Sequence, residues 1–214
     1  MTTQQPTSGG RSLSKSVAVG LVLGAAFLLS VLIYKELFMV FAATAAGFGA
    51  WELSTALRLK GWYVPRVPSV VGSVLIMPAA FYGGAQLQWL VALAIVAALI
   101  VWRTVHLLWE RREKPIQAIQ HTLLDYAAAA FVVIYLPLMT SFTMLLLRRP
   151  DGASWVIAFV VTVALIDTAG YLVGRKFGKH KLAPGVSPKK TWEGLLASIT
   201  AGSVSAVLFS IFTL

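Results

Sequence analysis

The chain has no cysteine, so no disulfide or cysteine-bound metal can staple it, and helix packing alone must hold the fold. Charge is scarce as well. Only 12% of the residues are charged, against about 25% in soluble domains. Hydrophobic residues make up 58% and mean hydropathy is +0.79. These proportions exclude an ordinary soluble domain and indicate an all-α, polytopic membrane protein. Acids are the rarest charge, with 8 Asp and Glu against 18 Lys and Arg, a net charge of +10. Such a balance suits nucleic acid, but the placement of the charges argues against that partner.

The apolar runs divide the chain into about seven transmembrane helices. Met1–Ser16 is polar and reads as a disordered cytoplasmic tail. No small-residue cleavage site follows it, so Val17–Tyr34 reads as a retained helix. It forms a tight hairpin, turning at Lys35-Glu36, with Leu37–Leu57. Glu52 falls near the end of that second helix, where a place at the interface is favoured over the bundle interior. Ser69–Phe81 and Leu87–Val101 are short third and fourth spans around a Gly83-Gly84 turn. Trp102–His121 is basic and reads as a cytoplasmic or interfacial helix. Leu123–Leu147 is the fifth span, kinked at Pro137, Ser154–Val173 the sixth and Leu195–Leu214 the seventh. The natural division is a bundle over 17–147 and a distinct region over 148–214.

With the N-terminus in the cytoplasm, all the basic residues except Lys35, Arg148 and Arg149 fall on the cytoplasmic side. The positive-inside rule favours this orientation. The excess charge then marks the face where anionic head groups and nucleotides are met, which makes nucleic acid a poor partner.

The stretch Asp167–Gly194 carries the chemistry. Asp167 lies in an otherwise uncharged span, where a carboxylate costs on the order of 2.5–3.5 kcal/mol. A bound cation or a protein partner should compensate it; a neighbouring Ser or Lys would also serve. Six Lys or Arg and His180 then crowd into Arg175–Lys190. Ordinary positive-inside charge accounts for part of this. However, Gly174, Gly178 and Gly185 permit close approach of a ligand. Ser187-Pro188-Lys189-Lys190-Thr191 also precedes a helix, where Ser187 or Thr191 can cap the N-terminus. Lys189 and Lys190 would flank the free amides there, as a phosphate clamp. The spacing GxxxxGK[ST] is missing, so no P-loop is implied. Glu193 in the first turn suits the helix dipole. Asp167, Gly170, Tyr171 and Gly174 share one helix face, and Gly194, Ser198, Gly202 and Ala206 form a ladder on the next helix. Close packing of these faces would bring Asp167 near the start of the last helix.

The runs Asp167-Thr168-Ala169-Gly170-Tyr171, Gly174-Arg175-Lys176-Phe177-Gly178-Lys179-His180, Leu182-Ala183-Pro184 and Ser187-Pro188-Lys189-Lys190-Thr191-Trp192-Glu193-Gly194 together resemble the phosphatidate cytidylyltransferase (CDP-diacylglycerol synthase) family. The N-terminal helices resemble it only in number and hydropathy, apart from Trp51-Glu52. The resemblance implies transfer of CMP from CTP to phosphatidic acid, with release of pyrophosphate and a need for Mg2+. A second, monovalent cation is an open alternative. In that reading Lys190, Asp167 and Glu193 are catalytic and Asp167 is the metal ligand. Ser187, Lys189, Thr191, Arg175, Lys179 and His180 contact substrate. The place of action is a bacterial-type inner membrane with the loop 175–192 cytoplasmic, and a homodimer is a further expectation.

The family's later signature, a Lys-Asp pair, a Gly-Gly step, Asp-Arg and a final Asp, does not occur here. The expectation is therefore a partial member with little or no turnover, or else a naturally short chain. Two other readings compete: a transporter or anionic-lipid-binding module, which should show inverted repeats that this sequence lacks, and a CTP-dependent polyprenol kinase.

Overall fold

A computed structural model describes residues 13–110 and 117–213. Residues 1–12 of the expected disordered tail, and Arg111, Arg112 and Lys114 of the basic segment, lie outside the described residues, whereas Leu13–Ser16, also expected in the tail, open the first helix. In lipid every backbone amide needs an internal partner, and the apolar runs accordingly fold as helices. They are α1 (Leu13–Ile33), α2 (Lys35–Leu59), α3 (Arg66–Glu110), α4 (Gln117–Val133), α5 (Met139–Leu147), α6 (Gly152–Phe177) and α7 (Trp192–Thr213). Five helices among the described residues are long and apolar enough to cross a membrane. The chain is an all-α, multi-pass membrane protein.

The expected third and fourth spans form one helix, α3, interrupted at Gly84 (φ 67°, ψ −163°). That conformation is open essentially to glycine. A side chain there would also meet the guanidinium of Arg148. Each arm of α3 is longer than its apolar run, and the second reaches Glu110. The apolar part of α1, Ala18–Ile33, is shorter than the other spans. α1 and α2 turn within a single extended residue, Tyr34. α4 and α5 are joined through a π-helical turn, Ile134–Leu138, which contains Pro137. Proline lacks the amide that a regular helix would use, and the wider turn absorbs the defect.

The core forms on small residues of α2. Ala42, Ala46, Ala50 and Ser54 recur every four positions and are buried, as are Ala43 and Gly47. That stripe lets α3 approach closely, and Ile76, Met77, Leu99, Met144, Leu147 and Val156 fill the centre behind it. At one end of the bundle Lys35 Nζ donates to the Arg149 carbonyl (2.5 Å), and Arg148 lies against Gly84. The three basic residues expected on the outer side therefore gather together.

Near the other end, Arg103 departs from its expected role. It is buried, and its Nε donates to Asp125 Oδ2 at 2.7 Å. Asp125 also accepts from the Tyr63 amide at 2.6 Å, and the Arg103 guanidinium lies 4.5 Å from the Tyr63 ring centre. This charge is therefore spent inside the bundle, where an unpaired ion would be costly, and not on head groups.

α6 and α7 form the second region. α7 packs on α6 and on a short antiparallel ribbon between them, β1 (Lys181–Ala183) and β2 (Ser187–Thr191). The stretch SPKKT is thus a strand before it meets the helix. Pro188 is tolerated because a two-stranded ribbon has only edges.

Candidate active site

Glycines set the distance between α6 and α7. A side chain on Gly194 would sit 2.8 Å from the Gly170 carbonyl oxygen and 3.2 Å from the Gly174 Cα, so the two backbones nearly touch. Ser198 adds a hydrogen bond, its hydroxyl donating to the Ile166 carbonyl at 2.9 Å. Gly202 lies against Ile166, but Ala206 is exposed and Ser205 is buried in its place, so the ladder ends one step early. The expected face of α6 does turn towards α7. Asp167, Gly170, Tyr171 and Gly174 all line an open cavity of about 890 Å³.

The ribbon roofs this cavity. Lys181 and Leu182 enter from β1, Ser187, Lys189, Lys190 and Thr191 from β2, and Arg175 from the last turn of α6. Four cationic side chains therefore face one carboxylate, Asp167. Arg175 is oriented by Tyr171, whose hydroxyl accepts from its guanidinium at 3.0 Å. Asp167 is exposed on the cavity wall rather than buried in protein, and no ion pair or hydrogen bond to it occurs among the described residues. The cation or partner expected beside it is not supplied by a neighbouring side chain.

The helix mouth differs from expectation. Thr191 is the cap, accepting from the Gly194 amide at 3.3 Å, and it fits into the notch left by Gly174 and Gly178. Ser187 lies four residues away, paired with Ala183. The Trp192 amide donates to the His180 carbonyl at 3.0 Å. Two of the first three amides of α7 are therefore already used. Anion attraction falls to the ribbon lysines and Arg175 more than to the helix end.

Of the residues singled out in the sequence, Asp167, Arg175, Ser187, Lys189, Lys190 and Thr191 meet at the cavity. Lys179, His180 and Glu193 do not line it. Glu193 instead accepts from the His180 amide at 3.2 Å and contacts its Nδ1 at 2.7 Å. Lys181, Tyr171 and Ser198 are lining residues that sequence reasoning did not assign to substrate. A lysine count cannot tell which lysines reach the cavity: Lys181, Lys189 and Lys190 line it, and Lys176 and Lys179 do not.

No group of three His, Cys, Asp or Glu among the described residues could hold a metal ion. One carboxylate cannot cage a cation. It does match the share Mg2+ takes from a protein when substrate phosphates complete its shell.

The cytidylyltransferase family's sequence profile matches residues 14–214. The chain belongs to the cytidylyltransferase family. A phosphatidate cytidylyltransferase from Mycobacterium leprae (strain TN) is 30% identical over 219 residues, covering 98% of this chain and 69% of that protein. One from Mycobacterium bovis (strain ATCC BAA-935 / AF2122/97) is 27% identical, covering 98% of this chain and 70% of that protein. One from Staphylococcus aureus (strain COL) is 28% identical over 161 residues, 75% of this chain and 58% of that protein. No solved structure matches the chain. The profile match extends through the N-terminal bundle, so the membership rests on more than the motif-bearing region.

Proposed function

We propose that this cytidylyltransferase works in CDP-diacylglycerol synthesis. A phosphatidate phosphate oxygen attacks the α-phosphorus of CTP, the bond from that phosphorus to the bridging oxygen breaks, and pyrophosphate leaves with its electron pair. The observation that carries the reading is the cavity between α6, α7 and the ribbon, where four cations face one acid beside two apolar helices. Two polyanions must meet for this reaction. Lys181, Lys189, Lys190 and Arg175 offset their repulsion and the charge that develops as pyrophosphate departs. Tyr171 holds Arg175 in place, and Thr191 fixes the ribbon to α7.

Mg2+ belongs to this reading as an ion carried on the nucleotide phosphates, with Asp167 as the carboxylate this chain presents to it. When bound, it would neutralise phosphate charge. A second, monovalent cation and a homodimer belong to the same reading. Mass measurement in lipid nanodiscs tests the homodimer, and a monomer there would refute it.

The gathering of Lys35, Arg148 and Arg149 at one end supports an N-terminus and ribbon on the cytoplasmic side of the cell membrane. Because the chain has no cysteine, single cysteines introduced at Lys35 and Val186 report on the two sides without background. Labelling of both from the same side would overturn the topology. The activity itself is tested by incubating membranes with labelled CTP and phosphatidate. Label in a CDP-lipid is expected, at the low turnover that a single metal-facing carboxylate allows. Label reaching a lipid phosphate only from γ-labelled CTP would indicate a kinase, and no transfer at all a binding module.

A further inference from the structure

The ribbon that roofs the cavity is too small to hold itself. β1 and β2 span three and five residues, with an irregularity between Lys181 and Ala183. Such a pair is marginal in isolation. Its tip is held only by the turn's own hydrogen bond, from the Val186 amide to the Ala183 carbonyl: Val186 is 90% exposed, and nothing lies within 4 Å of a side chain built at Gly185. The position of Lys181, Lys189 and Lys190 must therefore be set at the base.

At the base, Glu193 behaves unusually for a first-turn acid. Such a residue ordinarily stays with its own helix, through the dipole or a capping box in which the third helical position reaches back to the cap. Here the cap is Thr191 and the third position is Gly194, which has no carboxylate to offer. Glu193 stays near its own amide and also reaches a residue 13 positions upstream. Its two oxygens lie 3.2 and 3.3 Å from the His180 amide nitrogen, and one lies 2.7 Å from His180 Nδ1. The His180 carbonyl in turn accepts from the Trp192 amide at 3.0 Å. The His180 side chain is 78% exposed and that of Glu193 only 27%, so the carboxylate, not packing, orients the imidazole.

We propose that Glu193 and His180 form a clip that fixes the lysine-bearing ribbon over the cavity, making Glu193 a positioning residue rather than one that touches a reactant. The importance of the clip rests on reading the cavity as the phosphate site. Its existence as a mechanical element does not.

The test uses the full chain in lipid nanodiscs, with hydrogen exchange at the ribbon amides and CTP affinity measured in parallel. Glu193→Ala should speed ribbon exchange by about tenfold and weaken CTP binding by a similar factor, the loss expected for hydrogen bonds to a charged acceptor. Glu193→Gln keeps one acceptor oxygen and should fall between Ala and wild type, giving a conservative rescue. Exchange in α7 beyond Leu196 should not change, which guards against a variant that has merely unfolded. His180→Ala should add little to Glu193→Ala, since both break one contact. In kinetics, the KM for CTP should rise while kcat changes less.

Unchanged ribbon exchange in Glu193→Ala would overturn the clip, as would fully additive losses in the double variant. A fall in kcat alone would assign Glu193 to the reacting groups instead. If wild type fails to bind CTP while ribbon exchange still responds to Glu193→Ala, the clip stands and the cytidylyltransferase reading of the cavity fails.

Discussion

Two aspartates sit in apolar helices of this protein, and they are treated oppositely. Asp125 in α4 is 2% exposed and fully engaged by Arg103 and the Tyr63 amide. Asp167 in α6 is exposed on a cavity wall, with no protein partner among the described residues. The first carboxylate ties α4 to α3 and to the loop after α2. The second is left available, in a cavity that four cations also line. The Arg103–Asp125 pair is satisfied inside the N-terminal bundle, whereas Asp167 in the α6–α7 region is left for a ligand.

The strongest way to break that contrast is at Asp125. Asp125→Ala strands Arg103 in the bundle and should cost about 3–5 kcal/mol, read as a fall in thermal unfolding temperature in detergent. The pair Asp125→Leu with Arg103→Met should recover most of that loss, because the expense lies in the orphaned ion. Asp167→Asn should behave conversely. Nucleotidyl transfer should drop by about 10²-fold with little change in unfolding temperature, the scale of removing one electrostatic contact to the reacting groups. Equal effects on stability from both acids would erase the distinction.

A third substitution sharpens it. Gly194→Ala places a methyl 2.8 Å from the Gly170 carbonyl oxygen, which neither helix can avoid without moving. We expect a loss of about 1–3 kcal/mol, together with reduced activity, because the cavity walls are the same two helices. The smallest effect should come from Asp151, at the exposed turn before α6. Hydrogen bonds from Arg149 and Trp155 hold its carboxyl below the ordinary 3.8. Its contribution is therefore present above that value and lost as pH falls through the folded pKa, below 3.8. Asp151→Asn should flatten stability in that acid range and hardly alter it at neutral pH, as expected of an exposed pair.

Much of this was readable in advance where the signal is local. The sixth span, the Pro137 defect, the Gly83-Gly84 break and the glycine faces of α6 and α7 all follow from hydropathy and four-residue spacing. Thr191 is one of two candidate caps, with Ser187, and the structure selects it. What was not readable concerns partners. Asp125 drew no notice although it stands in an apolar run, as Asp167 does. Nothing local says that Arg103, on another helix, will meet one of these acids and not the other. Arg103 itself reads as interfacial charge until α3 proves to continue to Glu110 and carry it inside. Glu193 reads as a dipole residue until the ribbon brings His180 against it.

Hydropathy and residue spacing along the chain are enough to put it in a membrane, to mark roughly where it crosses, and to bring a lysine-rich segment to two glycine-faced helices. Those properties depend on each residue's own transfer energy and on helical periodicity, which neighbours in the chain settle between them. The tertiary structure alone decided which acid stays free, which lysines turn inward and which residue Glu193 holds. A charge takes its partner by distance in space, and that distance exists only once the helices have packed.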